Sequence, residues 1–274
     1  MLKITWCTDT HLDFLPDQDV VQFAERLVAE NPNVIMITGD ISISQKLVYH
    51  LSMIESVVKR PVYYVLGNHD YYGGIIQNVR QTMKEISNMS QYLRYLPTTP
   101  YVQLSPSTAL IGHDGWYDAT AGVVGKTNFV MNDWIKIGDY ALKNSVVRQS
   151  PNYKNIIEVS QKLAHESVVH ISGAIKAAAK YYKVIVIATH FPPFEEVHQH
   201  NERSSDPGVQ PWYTSKVLGE TLKRAAEAFP NIRFEVFCGH THGAYEGQIS
   251  KNLFCKVGNS QYGNPSVART IVLP

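Results

Sequence analysis

Little in this chain signals an unusual compartment or a charged partner. Cysteine is scarce: Cys7, Cys238 and Cys255 are the only 3 among 274 residues. An odd number without paired spacing excludes a disulfide framework and a cysteine-built zinc site. All three fall in apolar runs that read as strands, so buried free thiols in a reducing, cytoplasmic setting are expected. Charge is also low: 18% of residues are charged, and 25 Lys and Arg against 24 Asp and Glu leave a net charge of +1. No cluster of Lys and Arg stands out, so dedicated binding to a nucleic-acid backbone is not signalled. No apolar run approaches the roughly 18 residues of a membrane span, and no membrane partner is expected. The opening MLKITWCTDTHLD has too short an apolar part for a signal peptide and lacks a small-residue cleavage site. It reads as a first strand. Internal repeats and low-complexity segments are missing too. What is there is 44% hydrophobic, enough for a sizeable core, and residues 1–274 are expected to form a single domain.

Hydrophobic periodicity organises the chain. Residues 2–7, 33–38 and 61–66 are short buried runs. Between them, 18–29 (Val20, Phe23, Ala24, Leu27) and 46–58 (Leu47, Leu51, Ile54, Val58) carry apolar residues at helical spacing. Strand, helix, strand, helix, strand predicts a parallel sheet with right-handed crossovers. A helix follows over 75–90, then a hairpin over 100–104 and 107–112. The longest helical pattern covers 155–182, a buried strand 184–189 and a helix 214–228. Short strands close the chain at 233–238, 243–249, 253–257 and 267–272. Two stretches break the pattern. Residues 118–152 read as an irregular excursion over the surface, with the character of a lid. Residues 191–213 hold four prolines and read as a long loop.

The chemistry sits where the strands end. The run YYVLGNHDYY, residues 63–72, stops at Gly67 and continues as Asn68-His69-Asp70. Alone this is ordinary turn chemistry. It is not alone. The first strand ends in Thr8-Asp9-Thr10-His11, the second in Gly39-Asp40, the strand at 184–189 in His190, and the one at 233–238 in Gly239-His240-Thr241-His242. Open α/β sheets bind ligands beyond the carboxyl ends of their strands, and 5 of the 11 histidines lie in these segments. Asp, neutral His and Asn offer oxygen and nitrogen donors without thiolate, a set that suits Mn, Fe, Zn or Ni. Seven candidate donors exceed what one ion takes; they suit two divalent ions sharing a carboxylate, with positions open to water and substrate.

In order and spacing these blocks resemble the calcineurin-like metallophosphoesterase family. They run Asp9-x-His11, 27 residues, Gly39-Asp40, 26 residues, Gly67-Asn68-His69-Asp70, then Ala188-Thr189-His190 and Gly239-His240-Thr241-His242. The resemblance touches residues 2–70 and 184–260. It implies a four-layer α/β/β/α sandwich of two mixed sheets flanked by helices. It also implies ligands: Asp9, His11, Asp40 and His242 for one ion, and Asp40, Asn68, His190 and His240 for the other, with Asp40 bridging. His69 would face the substrate phosphate, stabilising charge or protonating the leaving oxygen. The implied activity is hydrolysis of a phosphate ester by water activated at the metal pair, manganese being a natural activator.

The chain departs from the pattern at one informative place. Several relatives carry an acidic residue three positions after the bridging aspartate, to orient the catalytic histidine; here it is Ile43. Asp70 is the remaining candidate for that task. The arginines that the Ser/Thr protein phosphatase branch places beside the second and third blocks are missing, and Ile43 also removes the tyrosine ligand of purple acid phosphatases. A small phosphodiester or nucleotide substrate is therefore favoured over phosphoprotein. Phosphomonoesterase, nuclease and a non-catalytic binding scaffold are the alternatives. His113 and Asp114 after a strand, His198 and His200 in the Pro-rich loop, and Phe191, Phe194, Trp212 and Tyr213 read more simply as turn, solvated loop and hydrophobic anchor than as substrate contacts.

Overall fold

The computed structural model describes residues 2–141, 151–198 and 204–273. The strands are β1 (Leu2–Cys7), β2 (Val34–Thr38), β3 (Val62–Val65), β4 (Leu93–Tyr95), β5 (Val102–Gln103), β6 (Thr108–Gly112), β7 (Val184–Ala188), β8 (Arg233–Cys238), β9 (Tyr245–Ser250), β10 (Leu253–Val257) and β11 (Arg269–Leu273). The helices are α1 (Asp17–Ala29), α2 (Ser44–Val58), α3 (Ile76–Met89), α4 (Asp133–Lys136), α5 (Gly138–Ala141), α6 (Tyr153–Ala178) and α7 (Lys216–Ala228). One sheet has the order β11-β1-β2-β3-β4 and the other β5-β6-β7-β8-β10-β9. In the first, β1 to β4 are parallel and β11 is antiparallel against β1. In the second, β6, β7, β8 and β10 are parallel, with β5 and β9 antiparallel at the edges. These are two mixed sheets flanked by helices, the expected sandwich. No helix among the described residues is long and apolar enough to cross a membrane.

Each strand feeds two cores because side chains alternate across it. On β2, Ile35 and Ile37 pack toward the helices, while Val34 and Met36 join the layer between the sheets. That middle layer is built from Ile4, Trp6, Val65, Leu110, Val186 and Phe237 among others, and the Trp6 and Phe237 rings meet edge to face at 4.9 Å. The outer face of the first sheet is covered by α1, α2 and α3 through the helical stripes read from the sequence. The second sheet is covered by α6 and α7, through Ile171, Ile175, Leu218 and Leu222. Cys7, Cys238 and Cys255 are free and buried, as expected.

Differences from the sequence reading are local. The edge strand β4 has only three residues, too short for a periodic signal. The stretch expected to run over the surface turns inward: Met131, Trp134, Ile137 and Tyr140 are all buried and join the core that includes the first sheet's helices. These aromatics are spaced irregularly, so no period betrays their burial. The Pro-rich loop is likewise pinned by buried Phe191, Phe194 and Trp212, in keeping with the anchor reading. Residues 142–150 of the first stretch and 199–203 of the second, His200 included, lie outside the described residues.

The middle layer fixes the separation of the two sheets. Phe237→Ala should therefore lower the unfolding free energy by about 3–5 kcal/mol, the usual range for a buried Phe truncated to Ala. Urea denaturation of the metal-free protein measures it; a loss under about 1 kcal/mol would mean that the sheets close over the gap at little cost.

Candidate metal centre

The parallel strands of both sheets end on one edge, and the turns that follow are sharply bent. Among the described residues, eight other than glycine have positive φ, and five of them are predicted ligands: Asp9 (49°), His11 (41°), Asp40 (52°), His240 (69°) and His242 (57°). The left-handed region costs an ordinary L-residue roughly 1–2 kcal/mol. Asp and His tolerate it better than most, but five such residues at one edge mark a place where the chain is held against its preference. Gly39 (φ 87°) and Gly67 allow the turns to approach each other. A Cβ on Gly39 would lie 2.6 Å from the Gly67 nitrogen and from His190 Nδ1. One on Gly67 would overlap the Asp40 carboxylate.

All seven predicted ligands converge. The donor atoms of Asp9, His11, Asp40 and His242 lie within 4.8 Å of one another. His11 Nε2 is 3.0 Å from His242 Nε2 and 3.7 Å from Asp40 Oδ2, and His242 Nε2 is 3.4 Å from Asp9 Oδ1. On the other side of Asp40, Oδ1 is 3.4 Å from His190 Nε2. Asn68 Oδ1 lies 3.1 Å from His190 Nε2 and 3.0 Å from His240 Nδ1. Asp40 thus faces both groups, one oxygen to each.

The protons reveal what this second group wants. His190 Nδ1 donates to the Thr38 carbonyl at 2.9 Å, so Nε2 carries a lone pair. His240 Nε2 donates to the Trp212 carbonyl at 3.3 Å, which leaves the lone pair on Nδ1. The Asn68 amide nitrogen donates to Asp133 Oδ1 at 2.8 Å, so the amide oxygen is the atom turned toward the histidines. Three lone pairs, with the Asp40 carboxylate beside them, point at one another with no hydrogen between. Such an arrangement repels itself unless a cation occupies the middle, and the donor set fits a divalent transition ion.

Electrostatics agree. Burial holds His11, His190 and His240 below the ordinary histidine range, His11 at about 3, so all three rings are neutral at pH 7 and free to offer a lone pair. Burial, reinforced by Asp9 and Asp70, pushes Asp40 well above the usual carboxylate range. No Lys or Arg stands among the seven residues, so positive charge must come from elsewhere.

His69 is placed apart from these donors. Its Nε2 is 4.0 Å from Asp40 Oδ2, and its ring lies against Tyr72 at 4.3 Å. It faces a cavity of about 250 Å³ with Phe129, Val130, Met131, Asn132, Tyr213 and Tyr262. Tyr262, which the sequence reading did not single out, packs on His11 at 4.3 Å and brings its hydroxyl to 3.5 Å from His69 Nε2. Asp70 does something other than orient His69. Its Oδ1 accepts the N–H groups of Ile41 and Ser42 at 2.9 and 2.8 Å, and its Oδ2 that of Gly67 at 2.8 Å. It clamps the turn after β2 to the turn after β3, and its hydrogen bonds all go to main chain.

Asp114 is a second buried anchor. It accepts from Leu66 N, Tyr71 OH, Tyr95 OH and Arg80 Nε at 2.7–3.0 Å, and the Arg80 guanidinium helps hold it ionised against the effect of burial. His113 is buried beside it, its Nδ1 accepting from Gly115 N at 3.2 Å. His198 is buried too and pairs with Thr214 at 2.7 Å, so it is neither solvated nor in the cavity. Asp133 and Tyr72 were missed altogether. Asn68 and Asp133 are 65 residues apart, and no spacing links a lone aspartate in an irregular stretch to a motif.

The family model for calcineurin-like phosphoesterases matches residues 2–244. No curated protein matches the chain. Among solved structures, a phosphopantetheinyl hydrolase from Mycobacterium tuberculosis is similar at 14% identity and a TM-score of 0.63, over 95% of this chain and 89% of that one. A dimetal phosphatase from Danio rerio is similar at 12% identity and a TM-score of 0.53, over 94% and 87%. An anchor protein of the inner membrane complex of Plasmodium, GAP50, is similar at 12% identity and a TM-score of 0.51, over 99% and 77%. At these identities the likeness is one of fold.

Asp70→Ala should act on stability first. It strands three main-chain N–H groups in the core, at about 1–3 kcal/mol each, so the metal-free protein should lose about 3 kcal/mol or more. Urea unfolding in chelator reads this directly. Unchanged stability with a slower enzyme would restore Asp70 to the role of orienting His69.

Proposed function

The chain belongs to the calcineurin-like phosphoesterase family, and we propose that it is a two-metal hydrolase of small phosphodiesters or nucleotide esters. The observation that carries this reading is the convergence of Asp, His and Asn side chains on both sides of Asp40, with the lone pairs of His190, His240 and Asn68 facing one another. Asp9, His11, Asp40 and His242 would hold one divalent cation, and Asp40, Asn68, His190 and His240 the other. When bound, such a pair supplies positive charge to the phosphate oxygens and acidifies water for attack.

The chain's own residues supply the rest. Neutral His69 carries one N–H, and at the cavity wall that group donates to a phosphate oxygen or to the leaving oxygen as the ester bond breaks. The Tyr72 ring at 4.3 Å and the His11 ring at 4.5 Å pack on the His69 ring and limit its turning without a carboxylate partner. Phe129, Val130, Met131 and Tyr213 make an apolar wall that excludes water from one side of the cavity.

Charge argues for a diester. Among the described residues, neither Lys nor Arg lines this cavity. A monoester dianion would find only the cations and His69 to balance it, whereas a diester carries one charge fewer and places a second substituent against the apolar wall. Comparing kcat/KM for bis-aryl phosphate, aryl phosphate, a phosphopeptide and a single-stranded oligonucleotide with Mn²⁺ tests this. The diester is expected to lead. A monoester or phosphopeptide favoured by about tenfold, 1.4 kcal/mol in transition-state terms, would overturn the substrate assignment. The M. tuberculosis neighbour is named for a phosphopantetheinyl group, so a phosphopantetheinyl ester belongs in the same comparison.

An active preparation should contain about two divalent ions per chain, and Asp40→Ala should remove both, because Asp40 serves both. Elemental analysis decides; an Asp40→Ala protein with two ions and turnover refutes the shared ligand. His69→Ala should keep its metal and lose about 10²–10⁴ in rate, less for a nitrophenolate leaving group that needs little protonation. Metal loss in that variant would make His69 a ligand.

A further inference from the structure

We propose that Asp133 is a positioning residue: it locks the Asn68 amide with its oxygen turned into the metal site, so that the segment carrying Asp133 governs retention of the second cation. The proposal rests on the ligand assignment above. Asn68 can present either end of its amide, and only the oxygen ligates a cation. Left to themselves, the lone pairs on His190 Nε2 and His240 Nδ1 would prefer the amide's N–H₂ group, which would hydrogen-bond to both and close the site. Asp133 reverses that preference. An ionised carboxylate only accepts, and its Oδ1 takes the Asn68 amide N–H and the Tyr72 hydroxyl, each at 2.8 Å. A flipped amide would set its carbonyl oxygen against this carboxylate.

Two further observations favour positioning over stability. Asp133 is fully buried, and its Oδ2 makes no hydrogen bond. Burial pushes the Asp133 carboxyl up to about 6, against the hydrogen bonds it accepts from Asn68 and Tyr72, so the fold bears a cost to keep a carboxylate at this place. The segment is also firmly seated: Gly73 N donates to the Lys136 carbonyl and Gly138 N to the Gly74 carbonyl, both at 2.8 Å, and Ile76 N donates to Asp139 Oδ2 at 2.7 Å. Asp133 therefore has a fixed place from which to hold Asn68. The residues just before it, Phe129 to Asn132, wall the substrate cavity. One short segment thus shapes the pocket and sets a ligand of the second ion, and it lies outside the sequence blocks that name the family.

The test is titration of metal-free protein with Mn²⁺ by calorimetry, alongside urea unfolding of the same metal-free samples. Asp133→Ala should weaken the second ion by about 10–100-fold, the scale for losing a ligand's hydrogen-bond partner, and leave the first nearly unchanged. Asp133→Asn, which keeps the volume but no longer demands donors alone, should show the same selective loss to a smaller degree, and serves if the Ala variant does not fold. Asn68→Asp supplies the decisive background: a carboxylate has no wrong end, so removing Asp133 there should cost the second ion much less affinity than it does beside Asn68. Equal weakening of both ions, an unchanged second affinity, or the same loss in the Asn68→Asp background would each overturn the positioning role. A wild-type protein that binds fewer than two ions would overturn the ligand assignment, and this proposal with it; two ions bound with the same two affinities in wild type and Asp133→Ala would remove only the proposal.

Discussion

The structure is organised around a repulsion. Asp9 and Asp40 share one buried volume with the lone pairs of His190, His240 and Asn68, and no basic side chain stands among them. Left free, these groups would move apart or take up protons. What prevents this lies one layer down. Asp70 gathers three main-chain N–H groups and ties the turns after β2 and β3 together. Asp114 ties the end of β3 to Tyr71, Tyr95 and Arg80. Buried anions satisfied by main-chain and side-chain donors thus hold in place the lone pairs of His190, His240 and Asn68, which face one another.

The donors are divided between the sheets. Asp9, His11, Asp40 and Asn68 follow strands of the first; His190, His240 and His242 follow strands of the second. Their spacing is therefore set by the layer between the sheets, where Trp6 meets Phe237. The sheets also set each other's protonation: the Thr38 carbonyl at the end of β2 fixes the tautomer of His190 beyond β7. A site split in this way exists only when both halves are folded and docked.

Much of this was legible in the sequence, for a physical reason. Alternating strands and helical stripes announce a parallel sheet, and a parallel sheet puts every strand end on one edge, so short motifs far apart in the chain could be read as one site. The seven donors and His69 came from that logic and from the family resemblance. What escaped depends on tertiary neighbours with no local signature. Asp133 is one aspartate in an aperiodic stretch, and its importance comes from facing Asn68. Asp70 sits within the motif and was given a chemical task, whereas its three hydrogen bonds make it a clamp. Residues 118–141 looked solvent-bound because their buried aromatics follow neither a period of two nor one of 3.6.

The left-handed backbone at five ligand positions has an implication for how such a chain can change. At each of them the residue best for the fold differs from the residue best for the site. Glycine at His11 or His242 would relax the turn and release strain of about 1 kcal/mol while deleting a proposed ligand. A lineage freed from the need to hold metal would therefore drift toward glycine at these turns, gaining robustness as it lost chemistry.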